Sequence, residues 1–579
     1  MRSLRAWSIL SCAALVGCGG GDLRRFPLRE PLWADTDTSP VSRRCEKRPT
    51  DKEPDHVSCA PEPYVSPLAW DAADNSLFRP LSKIFAVDPP REARNVNAFD
   101  EVPDSSWFQN RLGKRKPPVE ELVRGACSEK DILDPERAEP GSWLIDQGKP
   151  NGFTPGFRVR VGKKKYMFKT DSQKEPERPS AASVIGAAIY HAVGFNTSCE
   201  QIVYFDRKLV KLKPGLKFTR NDGVTRPFDE EALDKVFAEA GKRDGRYRLQ
   251  ASAWLPGYLL GPFKYEGTRS DDPNDVIPHE DRRDLRGGRL VAAWLHHFDA
   301  REQNSMDAWI AADPKNPEAS PGFVRHYYLD TSDSLGSEWD WDGISRRMGH
   351  SYLLDWGDIG FDFITLGMVE RPWERVVRGR EMFGYYHWDD FDPDKWLNEY
   401  PNPAFGRATE RDNAWMARIL SRFDYADLQA LAALGKFTEQ DATDYIAKAL
   451  EMRLRKIAER YLLNLSPIAD LRVEGKDTLC ALDLARRRQV RPDAQFHYGA
   501  EARSARGRQA LRVDVKSAGG LCTTLPHVAG DGGAPDGDPS RYVVVRLTNG
   551  ASKGPLEAHL YDLGPSRGYR VVGLERLDP

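Results

Sequence analysis

This chain of 579 residues has no surplus of charge of either sign: 85 Lys and Arg face 87 Asp and Glu, a formal net charge of -2. That balance removes the global basicity expected of a nucleic-acid-binding protein. It contains no Cys-x-x-Cys pair, which argues against a structural zinc site of ordinary spacing. No His-Glu-x-x-His pair occurs, which lowers the zinc-protease reading. With 30% charged residues and a mean hydropathy of -0.61, a polytopic membrane protein is excluded. Its N-terminal apolar run, 6–15, is too short to span a bilayer as a mature helix.

What the chain does have begins with that run. Arg2 and Arg5 precede it, and it leads into Leu15-Val16-Gly17-Cys18. A positive start, an apolar middle and a small residue at the end form an export signal, not part of the fold. The tetrapeptide resembles a bacterial lipobox, which implies cleavage before Cys18 and lipidation of that Cys. Gly19 in place of Asp implies, by resemblance to the enterobacterial sorting rule, the outer membrane of the cell envelope. Six cysteines then remain, at 45, 59, 127, 199, 480 and 522. An even number in an exported chain makes disulfides expected. Proximity favours Cys45 with Cys59, and placement favours Cys480 with Cys522.

At about 150 residues per domain the chain has room for roughly three or four. Residues 1–18 are the signal and lipidation site, and 19–65, rich in Gly, Pro, Arg and Asp, look like a tether. Residues 66–142, with Asp-Pro and Pro-Pro punctuation, look like an extended segment wrapping a core. Residues 143–265 run in short alternating stretches punctuated by Gly148, Gly152, Gly156 and Gly162, as antiparallel strands do. Within them 181–193 has helical periodicity, closed by Gly194. Helices are expected to dominate 266–468, with amphipathic stretches at 413–423 and 441–463. Strand-like runs at 541–547 and 569–574 make 469–579 a small β-rich module. The predicted class is α+β.

The densest chemical pattern lies at 289–336. An apolar run, Arg289-Leu-Val-Ala-Ala-Trp-Leu295, ends in His296-His297-Phe298-Asp299, and Asn304 follows five positions after the Asp. A strand-like run, Val324-Arg-His-Tyr-Tyr-Leu329, then delivers Asp330. One carboxylate to orient a hydroxyl, with an Asn and a second carboxylate for a metal, is the polar layout of phosphoryl transfer. The alternative for Asp299 and Asn304 is a capped helix end or a turn.

In chain order there are a glycine-punctuated hairpin, a strand ending in Lys169, a helix, a strand ending in Pro256-Gly257, His297-x-Asp299-x-Arg301-x-x-Asn304 and Leu329-Asp330. This order, over about 143–465, resembles the protein-kinase-like fold, in particular its atypical HipA-type, lipid-kinase-like and secretory-pathway branches. The resemblance implies a bilobal body with a β-rich N-lobe and a helical C-lobe. It also implies ATP and magnesium as cofactors. By the same resemblance Lys169 pairs with nucleotide phosphates under a loop containing Gly152 and Gly156, and Pro256-Gly257 falls at the adenine hinge. Asp299 is the catalytic base with Arg301 beside the γ-phosphate, and Asn304 and Asp330 hold the metal. The partners implied are a membrane, through Cys18, and an unidentified hydroxyl substrate.

The chain also departs from that pattern. Thr331-Ser332 replaces the usual Phe-Gly, and the 152–156 loop lacks the standard glycine spacing. The helix after Lys169 has no central Glu to hold the lysine, and Glu175 and Glu177 could substitute only if it began early. The competing expectation is therefore a pseudokinase-like binding or structural surface lipoprotein. His296-His297 are expected to pack or cap, since neighbours on a helix point about 100° apart. The polar stretch 271–283 is expected as a solvated loop, and Lys163-Lys-Lys165 as a solvated turn. The aromatic clusters at 339–341 and 385–388 are expected as buried anchors.

Overall fold

The computed structural model describes residues 25–579 other than 30–36, 38, 48–56, 66, 84, 86–90, 150–154, 172, 220–223, 337–338 and 340. Cys18 and Gly152 therefore lie outside the described residues. The class is mixed α+β.

A seven-stranded sheet is built from the alternating stretches. Trp143–Gly148, Gly156–Val161 and Lys164–Lys169 form an antiparallel meander. Arg246–Ala253 then pairs with Lys164–Lys169 on one side and with Glu200–Phe205 on the other. Strand alternation sends Trp143, Ile145, Phe157, Val159, Phe168, Leu249 and Ala251 into one core. Lys169, one residue beyond Phe168, therefore faces away from that core. Between Lys169 and Glu200 runs the helix Arg178–Val193, which begins three residues earlier than its periodicity suggests and is buried on nearly every side.

The segment after Ala253 passes through Pro256-Gly257 into a different sheet. There Tyr258–Gly261, Ser305–Ala311, Pro321–Tyr328 and Val41–Ser42 are hydrogen-bonded in that order, and Asn196–Thr197 adds parallel to Pro321–Tyr328. Gly257 has φ +80°, and a Cβ there would meet the Trp309 carbonyl oxygen at 2.1 Å, so the crossing requires glycine. Helices Arg283–Leu295, Glu410–Leu420 and Gln440–Tyr461 pack around Trp294, Trp415 and Leu450 in the largest core. The C-terminal residues form two further sheets, with strands at Tyr542–Thr548 and Tyr569–Arg576 as predicted to within a few residues.

Two expectations change. The stretch expected as a tether is in part packed: Phe26 is buried against Tyr542 and Tyr561, and Arg44–Lys47 pairs with Val57–Ala60. The wrapping segment is not featureless, since it contains Leu68–Ala73 and Val119–Arg124. It also carries Asp100, which accepts hydrogen bonds from Arg283 (2.5 Å), Arg418 (3.1 Å) and Arg576 (2.6 Å). Three disulfides are formed, Cys45–Cys59, Cys127–Cys199 and Cys480–Cys522.

Candidate functional site

Helix Arg283–Leu295 stops because His296 turns left-handed (φ 56°), and the His297 amide bonds back to the Ala292 carbonyl at 2.8 Å. His297 is buried. Its Nδ1 meets the Tyr190 hydroxyl at 3.0 Å, and its Nε2 lies 3.3 Å from Asp299 Oδ1. The histidines thus pack and cap, as expected. Asn304 Nδ2 donates to the Asp299 carboxylate (2.6 Å) and to its backbone carbonyl (2.8 Å). The Asn304 carbonyl accepts from the Leu329 amide at 2.9 Å, so the Asp299–Asn304 turn is stitched to the residue preceding Asp330.

Asp330 sits in the left-handed region (φ 47°), which Asp tolerates better than most side chains. Its Oδ2 pairs with Lys169 Nζ at 2.8 Å, and its Oδ1 accepts from the Ser332 hydroxyl at 2.7 Å. Burial opposes ionisation of Asp330, but Lys169 and then Lys149 more than offset it and hold the carboxyl well below its usual range. The same pairing, against burial, raises the Lys169 ammonium. Lys169, Asp299, Asn304 and Asp330 therefore come together from distant parts of the chain. Gly156 lies in a strand beside them, and its Cβ would meet the Phe168 carbonyl at 2.3 Å, so close strand approach fixes that glycine.

Arg301 acts on Asp299 through its charge, and its ion pair is with a further acid. Its Nη1 pairs with Glu399 Oε2 at 2.7 Å, and burial, only partly countered by Arg301, pushes Glu399 up to about 7.

Close packing explains the missing helix glutamate. A Cβ on Gly186 would meet Thr331 Oγ1 at 2.5 Å, and that hydroxyl donates to the Ala182 and Ser183 carbonyls at 3.3 and 3.1 Å. The helix backbone lies directly on the residue after Asp330, leaving no room for a long side chain there. Thr331-Ser332 thus supplies a hydroxyl latch where larger residues would hold the helix away. Arg178 fastens the start of the helix to the same segment through the Ser332 and Ser334 carbonyls, at 2.8 and 2.9 Å. Glu175 pairs with Arg178, and Glu177 bonds Thr438.

Glu200, Lys149 and Asp333, which sequence reasoning missed, complete the cluster. Gln250 lies opposite Lys169 across the strand pair and donates to Glu200 Oε2 at 2.7 Å; Ser252 donates to the same oxygen at 2.6 Å. Glu200 is the next carboxylate acting on Lys169 after Asp330, supplied by a strand instead of the helix. Lys149 is pushed down to about 8, first by burial and then by Lys169. Asp333, three residues beyond Asp330, shares a hydrogen bond with Asp299. Burial and then the Asp299 charge drive Asp333 well up, whereas His297 and Arg301 outweigh burial and keep Asp299 low. The two environments separate a proton-holding acid from an ionised one.

Most of the polar stretch 271–283 is buried, which corrects the expectation of a solvated loop. His279 Nε2 meets Asp275 at 2.7 Å, Gly267 donates to Glu280 at 2.7 Å, and Asp281 pairs with Arg286 (2.9 Å) and Arg407 (3.0 Å). Of the expected turn only Lys163 lies in one; Lys164 begins the following strand and pairs with Asp131. Of the aromatics, Tyr385 and Tyr386 are buried, but Trp341 is 71% exposed and anchors nothing.

Comparison with protein-family models, with curated proteins and with solved structures finds no match for this chain.

Proposed function

We propose that the chain is an atypical kinase-like protein, anchored to the cell envelope through a lipidated Cys18, that transfers phosphate from a nucleotide to a hydroxyl substrate. One observation carries this reading: the Lys169–Asp330 ion pair lies beside the Asn304–Asp299 hydrogen bonds, although more than a hundred residues separate the lysine from the rest. The strand order around Lys169 supports it, as does the Pro256-Gly257 crossing between sheets. The donor set fits the implied cofactors. The Asp330 carboxylate and the Asn304 side-chain amide oxygen are hard oxygen ligands suited to magnesium, and Lys169 with Lys149 suits a polyphosphate. Magnesium and ATP, when bound, supply the phosphoryl group and the neutralisation of its charge. Asp299 orients the attacking hydroxyl and accepts its proton, while Asp333 donates to Asp299 and fixes its orientation. Arg301 holds the loop to Glu399 instead of reaching toward phosphate.

A second reading, a nucleotide-free binding protein, is favoured by the engagement of Lys169 with Asp330 itself. Thermal unfolding of protein lacking residues 1–18 separates the two. Stabilisation by ATP that needs magnesium and vanishes in Asp330→Ala is expected of the first, because a ligand specific for the folded state raises apparent stability. No shift with any nucleotide would leave the binding protein standing. The anchor is tested by the mass of the N-terminal peptide from membrane-purified protein.

A further inference from the structure

The helix Trp356–Thr365 is turned inside out. Helices on a protein surface ordinarily bury their apolar stripe and expose the polar one. Here Asp358 and Asp362 are the half-buried residues, held by Arg371, whose guanidinium lies 2.6 Å from Asp362 and 3.3 Å from Asp358. The apolar side chains point outward: Phe363 is 82% exposed, Ile364 80%, Leu366 79% and Met368 80%. None of the helix residues is buried. Leu366 adopts the left-handed conformation (φ 53°) at the helix end, a place that favours glycine, and still presents its side chain to the outside. Trp356 bonds the Ser76 carbonyl at 3.3 Å, which joins the patch to the exposed, stacked Trp70 and Phe78. This is the densest run of exposed large apolar side chains among the described residues, and contiguous patches of this kind mark interaction sites.

We infer that this helix lies in the headgroup layer of a lipid bilayer and seats the protein on the membrane. The inference rests on the Cys18 anchor proposed above, and the choice of lipid as the occupant comes from chain length. Phe26 is docked in the body, bonded to Tyr542 and Tyr561, so only seven residues separate the lipid site from a packed residue. Seven extended residues reach about 25 Å, less than the diameter of a body whose radius of gyration is itself roughly 25 Å. The body is thus held against the lipid, and some face of it must meet the headgroups. Ten residues make a helix about 15 Å long, which suits the plane of the interface. Among the described residues no helix is long and apolar enough to cross a membrane. Trp and Phe beside Ile, Leu and Met are the side chains that bury into the headgroup boundary.

The test uses the chain from residue 18 onward with Cys18→Ser, so that no acyl group contributes, and vesicles of phosphatidylethanolamine and phosphatidylglycerol. The wild-type chain should co-sediment with the vesicles. The double variant Phe363→Glu/Ile364→Glu should partition at least about tenfold less, since two apolar side chains leave the lipid and two charges enter it. Its urea unfolding midpoint should stay unchanged, because neither side chain is packed. Wild-type protein that stays in the supernatant, or a variant that sediments equally, would overturn the inference. So would a wild-type dimer in solution that the variant reduces to monomer without vesicle binding, which would assign the face to a second copy. Nucleotide binding and N-terminal peptide mass are separate readouts, so failure of the kinase or anchor reading is distinguishable from failure of this one.

Discussion

Two of the buried ionic clusters among the described residues are built on opposite principles. Around Asp100 the cations outnumber the acid: Arg283, Arg418 and Arg576 converge on one carboxylate and tie a helix start, a second helix and the last strand together. Around Asp330 the acids crowd one another: Asp299 and Asp330 raise the cost of ionising Asp333, and Asp330 raises that of ionising Asp299. The first cluster is satisfied and holds the fold. In the second, like charges are confined where a cation or proton has to be supplied, as a site for chemistry requires.

If that contrast is right, the largest loss of stability comes from the first cluster. Asp100→Ala leaves three guanidinium groups without their shared anion and should cost about 3–5 kcal/mol in urea unfolding. Asp100 is held well below the usual carboxylate range by those arginines, led by Arg283, against burial. Its contribution is therefore present above the unfolded pKa of about 3.9 and is lost as pH falls below it. Asp100→Asn should flatten that acid limb, and a limb that is unaltered would remove Asp100 from the role of hub.

In the second cluster, changes should alter chemistry more than folding. Asp299→Asn is expected to keep nucleotide affinity by calorimetry and to lose phosphoryl transfer by at least about a hundredfold. Asp330→Asn should weaken both, because a metal ligand acts on binding as well as on turnover. Equal and mild effects of the two would reduce these carboxylates to turn and cap residues.

The smallest effect has the opposite sign. Asp333 is raised by burial and by Asp299, so its cost to folding is absent below the unfolded pKa of about 3.9 and grows as pH climbs toward its folded value. Asp333→Asn keeps a hydrogen-bond donor toward Asp299 and should stabilise the protein by about 1 kcal/mol near neutrality and by nothing in acid. Destabilisation at neutral pH would show that Asp333 is a structural acid and break the contrast between the clusters.

How much of this could be read from the sequence varied with how local each signal is. Asp299, Asp330 and Lys169 were legible because each ends an apolar run whose period tells strand from helix, and Asn304 by its spacing five positions after Asp299. Lys149, Glu200 and Asp333 were not, since each reaches the cluster through strand register or a tight turn that no short window encodes. The absence of a helix glutamate was visible, but its cause, Thr331 lying against Gly186, belongs to tertiary packing. Residues 271–283 look like any charged loop; whether such a stretch is solvated or buried depends on distant partners such as Arg407. The outward-facing helix was missed because a run such as Trp356-Gly-Asp-Ile-Gly-Phe-Asp-Phe-Ile364 has the composition of a core element.

The Cys127–Cys199 bridge closes a loop of 72 residues that contains the three meander strands, the buried helix and Lys169. A protease that cut the backbone once inside that loop would not release a fragment. The nicked molecule would migrate as one band until a reductant was added; a cut after Lys169 would then leave Lys169 and Asp330 on different polypeptides, whereas a cut between Lys149 and Lys169 would part those two lysines instead.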